Sequence, residues 1–122
     1  MTIYLEPALN LEFLISEGDG QISRDSITLG GATVLAPGMV LGKITATGVY
    51  VPSSVSAADG SQNAIAVLGY RTDATAGNVP AAVIARMAEV NAAALTYDAS
   101  VNTPTLVAAK IAELASVQII AR

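Results

Sequence analysis

The sequence predicts an α+β fold that is mainly β: a small, compact β-rich domain with one C-terminal helix and an extended N-terminal arm. Short apolar runs recur between Gly, Pro, Asp and Asn turn signals, which is the pattern of short strands. One segment near the C-terminus carries a helix cap followed by helical spacing. The first twenty residues alternate with a period of two and lack a helical period. A chain of 122 residues is one domain, able to bury roughly 65% of its extended surface.

The arm is read over residues 1–20 and the body over residues 21–122. Within the arm, Ile3, Leu5, Leu9, Leu11, Phe13 and Ile15 nearly alternate with Tyr4, Glu6, Asn10, Glu12, Leu14 and Ser16. Gly18-Asp19-Gly20 ends it with a turn. A ribbon with one apolar edge docks on its own body or on a neighbour. Ser23 to Leu29 is a short strand closed by Gly30-Gly31, and Pro37-Gly38 marks the next turn. Val40, Gly42, Ile44 and Ala46 share one face of a strand that reverses at Gly48. Val49-Tyr50-Val51 runs back as far as Pro52, making a hairpin.

Ser53 to Asn63 is rich in Ser, Ala, Asp and Gly and reads as an exposed loop. The strand from Ala64 to Arg71 is apolar on both faces, like a central strand. Val79 to Met87 is a further strand, and Glu89 to Leu95 reads as a helical turn or two. Thr103 then supplies a cap oxygen and Pro104 the first position of a helix that ends near Ser116. Leu106, Val107, Lys110, Ile111 and Leu114 lie on roughly one side of it, with the charged ends of Lys110 and Glu113 toward solvent. Val117 to Arg122 closes the chain as a strand.

Composition narrows the function. The chain is 52% hydrophobic, 4% aromatic and 13% charged, so small aliphatic side chains fill its core and little charge solvates its surface. About half the usual charge favours burial of surface against partners. The two-sided apolar strand is read in the same way, as core completed by other chains. Residues 1–25 carry the whole net charge of −4, and no basic cluster exists to meet nucleic acid. No apolar run approaches the ~18 residues of a membrane span, and no basic-then-apolar leader opens the sequence.

Catalytic signals are missing. The chain has no histidine and no cysteine, which removes the commonest general base, the commonest metal ligand and every thiol. No Gly-x-Ser-x-Gly or Ser-x-x-Lys arrangement activates a serine. Asp59 and Asp73 sit in turn-forming sequence, where aspartate bonds local backbone amides. Asp59-Gly60-Ser61-Gln62-Asn63 has the oxygen-rich start of a calcium loop, but its glycine is misplaced and Tyr70 stands where the bidentate glutamate belongs. The expectation is a protein without catalytic activity, without cofactor or metal, and with no small-molecule substrate.

A set of ordered landmarks resembles the head decoration proteins of lambda-like tailed bacteriophages. They are Ala36-Pro37-Gly38-Met39-Val40-Leu41-Gly42-Lys43, Thr47-Gly48-Val49-Tyr50-Val51-Pro52, Asp59-Gly60-Ser61 with Ala64-Ile65-Ala66-Val67-Leu68, and Asp73-Ala74-Thr75. Ala88-Glu89-Val90-Asn91-Ala92-Ala93-Ala94-Leu95 and Val117-Gln118-Ile119-Ile120 complete the series. The leader, Tyr4-Leu5-Glu6-Pro7 with Glu12-Phe13-Leu14-Ile15-Ser16-Glu17, is similar to the longer-armed branch of that family.

The resemblance implies a homotrimer made in the host cytoplasm and carried on the outer surface of the virion. There it would bind the expanded head at three-fold and quasi-three-fold positions and reinforce it against packaged DNA. The arm would join the major capsid protein by adding a strand. Tyr4, Leu5, Pro7, Leu11, Phe13 and Leu14 are the expected capsid contacts, with Phe13 as the anchor and deletion of residues 1–17 leaving a folded trimer. From the residues alone, a small ligand-binding β-module and a fibre or baseplate component remain alternatives. The first would need an apolar pocket with convergent polar groups.

Overall fold

The structure, a computed structural model, describes residues 11–19 and 22–122. The strands are β1 (Leu14–Glu17), β2 (Arg24–Leu29), β3 (Val34–Leu35), β4 (Val40–Lys43), β5 (Tyr50–Pro52), β6 (Ala66–Leu68), β7 (Thr72–Asp73), β8 (Val79–Ile84), β9 (Ala88–Val90) and β10 (Ile119–Ala121). A short 3-10 turn spans Ala92–Ala94, and the helix α1 spans Pro104–Ala115. Strands β2, β5, β4, β6 and β8 close a barrel; β1, β9 and β10 form a three-stranded sheet beside it; β3 and β7 pair separately. The β-rich body with one C-terminal helix is as the sequence predicts.

Local chemistry sets these elements. The β4–β5 hairpin turns at Gly48, whose φ of 74° suits glycine, and Gly48 N donates to Ile44 O at 2.8 Å. Along β2 and β8 the antiparallel register runs from Arg24↔Ile84 to Leu29↔Val79, the longest ladder among the described residues. Thr103 caps α1 through Oγ1, which accepts from Leu106 N, and Pro104 occupies the first turn.

The strands that are apolar on both faces divide their side chains between two cores. Val40, Val67 and Ile84 are cross-strand neighbours on β4, β6 and β8, and they face a core shared with Phe13, Val90, Leu114 and Ile119. On the opposite face, Leu41, Ala66, Leu68 and Val83 join Leu29 and Leu35 inside the barrel. Because strand side chains alternate faces, one apolar strand lining two cores needs apolar residues at every position. The expectation that these strands are completed by other chains is therefore corrected: the sheet and helix of the same chain cover the second face.

Two glycines hold the cores close. A Cβ on Gly42 would run into the backbone of Ser61 and Asn63, so only glycine lets the 53–63 loop lie on β4. Gly38, at φ 90°, has Ala94 O 2.7 Å from where a Cβ would sit, and it abuts the Phe13 ring. Parallel bridging of Met39 with Thr96 then ties the segment after β9 to the barrel. Residues 88–90 form the central strand of the small sheet, and only Ala92–Ala94 make a helical turn. The helical reading of Glu89 to Leu95 is corrected to that extent, since β1 and β10 both claim the β9 backbone.

Lys110 differs from its expected place. Its residue is only 2% exposed, and Nζ donates to Ser53 Oγ at 3.0 Å and to the Gln62 carbonyl oxygen. Glu113 Oε1 lies 3.3 Å from Nζ and accepts from Ala64 N at 2.9 Å. Ser53 Oγ in turn donates to Ser61 O at 2.9 Å, and Ser53 and Ser61 are both buried. The loop read as exposed thus folds its two ends inward over the lysine, and a buried charge is tolerated because every donor finds an oxygen. Replacing Lys110 with Met keeps the alkyl stem but leaves Gln62 O without a donor, at a cost of about 1–3 kcal/mol. Urea unfolding measures this, and a change under about 0.5 kcal/mol would show the cage to be dispensable.

Candidate functional site

The segment entering the body is built from Leu11 onward. Leu11 has a left-handed φ of 59°, and its amide donates to Gly69 O at 2.8 Å. Leu14 N donates back to Leu11 O at 3.0 Å, turning the chain into β1. Phe13, between them, is 1% exposed within the core, and its carbonyl accepts from Asn91 N at 2.6 Å. Leu11 and Leu14 are half-buried against the same core. β1 then pairs antiparallel with β9, with a register shift between Leu14 and Ser16.

Further contacts stitch this segment down. Arg24 grips both carboxylate oxygens of Glu17, Nη2 to Oε1 at 2.7 Å and Nε to Oε2 at 2.9 Å, and its Nη1 meets the Tyr70 hydroxyl at 3.2 Å. The hydrogen bonds from Arg24 hold the Glu17 carboxyl below its ordinary value of 4.5. Buried Ser23 accepts from Gly18 N at 2.8 Å and donates to Met87 O at 2.9 Å.

Of the residues expected to meet a capsid, the structure brings Leu11, Phe13 and Leu14 together, but inside their own fold. Tyr4, Leu5 and Pro7 lie outside the described residues. Residues 11–17, read from sequence as part of the arm, are a strand and a core side chain of the body. The physical reason is that β9 offers a free edge and the cavity beside Gly38 accepts a ring.

The acidic turns behave as expected. Asp59 Oδ1 accepts from Ser61 N at 3.0 Å and Ser61 Oγ at 2.6 Å, and Asp73 Oδ1 does the same with Thr75 at 3.0 and 2.5 Å. These bonds hold both carboxyls below the usual aspartate range. Among the described residues no three acidic side chains come together as a metal cluster would require.

Surface grooves among the described residues include two beside these elements. One, of about 430 Å³, runs between Tyr50, Ile65 and the Ser116–Gln118 turn, and the Asp25–Arg86 ion pair lies in it. The other, of about 340 Å³, follows β1, β9 and β10 from Ser16 to Ile120. Neither groove was legible in the sequence, since each is made by turns far apart in the chain. Only the left-handed turns at Met87 and Gln118 could have hinted at the second, and no glycine marks them.

Compared with models of known families, residues 3–119 match the family described as bacteriophage lambda head decoration protein D. A search of curated proteins finds no match.

Proposed function

Because the chain belongs to the bacteriophage lambda head decoration protein D family, a family of structural phage head proteins, we propose that it clamps the outside of the expanded head as a homotrimer. It binds at three-fold and quasi-three-fold positions and reinforces the shell against packaged DNA. The observation that carries this reading is the family match across residues 3–119 of the 122-residue chain. The sparse surface charge and the apolar period-two leader are in keeping with a protein whose partners are other protein surfaces.

The major capsid protein is the partner, and residues 1–10, including Tyr4, Leu5 and Pro7, are its contact segment. An alternating ribbon suits addition to a sheet edge, where backbone bonds give affinity and alternate side chains give specificity. Phe13, Leu11 and Leu14 serve the same end indirectly by fixing that segment to the body. Three such segments on one trimer give an avidity of ~10²–10⁴ over a single contact. Purified protein mixed with undecorated expanded heads and sedimented is expected to co-sediment with the heads. Sedimentation equilibrium of the free protein across concentrations shows whether the trimer forms in solution or only on the shell. A protein that stays in the supernatant at saturating concentration would overturn the reading.

A further inference from the structure

Asp59 is followed by Gly60, and an aspartate before glycine is the pair in which the main chain reroutes through the side chain with least steric hindrance. In that reaction the Gly60 nitrogen bonds to Asp59 Cγ, and the carboxyl hydroxyl leaves as water, taking the amide proton. Water then adds at the Asp59 backbone carbonyl carbon of the resulting succinimide. The C–N bond to Gly60 breaks there, and the chain continues through the β-carboxyl as isoaspartate. One water leaves and one enters, so the mass is unchanged and nothing is oxidised or reduced.

The fold demands this reactive pair. Gly60 has φ 103°, and a Cβ there would run into Thr45 Oγ1 and the Lys43 carbonyl oxygen, so no side chain fits. Asp59 supplies the acceptor that closes the Ser61 turn. Asp59 is also exposed, so water has access to it.

The atoms that must move are held. Ring closure needs the Asp59 carboxyl to swing onto the Gly60 nitrogen and the peptide unit between the two residues to rotate. Asp59 Oδ1 is fixed by Ser61 N at 3.0 Å and Ser61 Oγ at 2.6 Å, and Ser61 is buried. The peptide unit is pinned on both edges: Asp59 O accepts from Thr45 N at 2.9 Å, and Gly60 N donates to Gln62 Oε1 at 2.8 Å. A reacting pair kept from its near-attack geometry loses the advantage of proximity. The Ser61 bonds also hold the carboxyl below the ordinary aspartate range, in the ionised form, whereas the hydroxyl that departs belongs to the neutral acid.

We propose that Asp59-Gly60 is a latent modification site, an isoaspartate-forming bond kept silent by Thr45, Ser61 and Gln62 and released when the 53–63 loop opens. Gln62 is a positioning residue here, since its side chain holds the attacking nitrogen. Isomerisation lengthens the main chain by a methylene and takes Oδ1 away from Ser61. Ser61 O accepts from Ser53 Oγ, which accepts from Lys110 Nζ, so the change runs on into the lysine cage. None of this depends on what the protein binds.

Full-length protein is aged in neutral buffer, folded in one sample and unfolded in guanidinium chloride in the other, then digested with trypsin. Residue 59 falls in the peptide 44–71, and the other Asp-Gly pair, Asp19-Gly20, falls in the peptide 1–24. Electron-transfer fragmentation distinguishes isoaspartate from aspartate in each. Isoaspartate at residue 59 is expected to form at least about tenfold more slowly in the folded protein than in the unfolded one. Gln62→Ala keeps the backbone carbonyl that meets Lys110, and it is expected to leave the protein folded. In that folded variant isomerisation at residue 59 should quicken about fivefold or more, as loss of one hydrogen bond allows. Equal rates in the folded and unfolded protein would overturn the proposal. So would an unfolded chain that forms isoaspartate at residue 19 and none at residue 59. Should Gln62→Ala not fold, Ser61→Ala serves instead, since it removes one of the two bonds to Oδ1, and the same quickening is expected. Folded variants that age within twofold of the unaltered protein would show that these bonds are not what silences the site.

Discussion

Deleting residues 1–10 is expected to abolish decoration of expanded heads while leaving a folded protein that melts within a few degrees of the full chain. The cut falls immediately before Leu11, whose amide bond to Gly69 O begins the described body. The described contacts of Phe13 with the core and of β1 with β9 are retained. On the proposed homotrimer, loss of binding follows from avidity: with three segments removed at once, an enhancement of ~10²–10⁴ disappears along with the contacts themselves. Co-sedimentation with heads and a thermal melt of the same preparation give both readings. Decoration at unchanged affinity would remove residues 1–10 from the interface. Extending the cut to residue 17 is a different experiment. It takes away Phe13 and β1, so its failure to bind would report unfolding, and the arm can be tested only by the shorter deletion.

Phe13→Ala is expected to cost about 3–5 kcal/mol of stability, a large share of the ~5–15 kcal/mol typical of a domain. The ring is 1% exposed and packs among Val40, Val67, Val90, Leu114 and Ile119, where five separate elements meet. A hole at that junction cannot close by moving one side chain. The melting temperature should fall on the order of 10–20 °C, and urea unfolding should show a lowered midpoint. A loss below about 1 kcal/mol would place the ring outside the core. If Phe13→Ala instead preserved the melt and lost head binding, the ring would be the capsid anchor that its sequence position suggested.

Phe13 shows why some of the molecule was legible in the sequence and some was not. A single phenylalanine in an apolar, alternating segment looks the same whether its ring is to fill a neighbour's pocket or its own core. The difference lies in Gly38, Val90 and Leu114, which are 25 or more residues away in the chain. Local signals did transfer. Thr103-Pro104 starts the helix, Gly48 turns the hairpin, and Asp59 and Asp73 bond the amides just after them. Each of these depends on neighbours within a few residues.

Lys110 failed for the converse reason. Its cage comes from Ser53 and Gln62, on a loop that only the fold lays across the helix. The apolar doubling of the 64–71 strand was visible, but the number of cores in one chain was not. The same pattern fits one core shared between chains or two cores within a chain. The family's landmarks could be read because they are stretches of contiguous sequence; the grooves could not, because they are not.

Val90 pairs with Leu14 on one side and with Ala121 on the other. At a strand spacing of about 4.8 Å, the first and last strands of the body come within roughly 10 Å of each other. The polypeptide path is therefore almost a closed circuit, seamed along β9. A short connector could join the two ends, and the chain could be reopened at the exposed tip of the 53–63 loop without cutting a strand. Cargo fused after Arg122 would emerge beside Leu11, where, on the proposed function, it would compete for the same space as the shell.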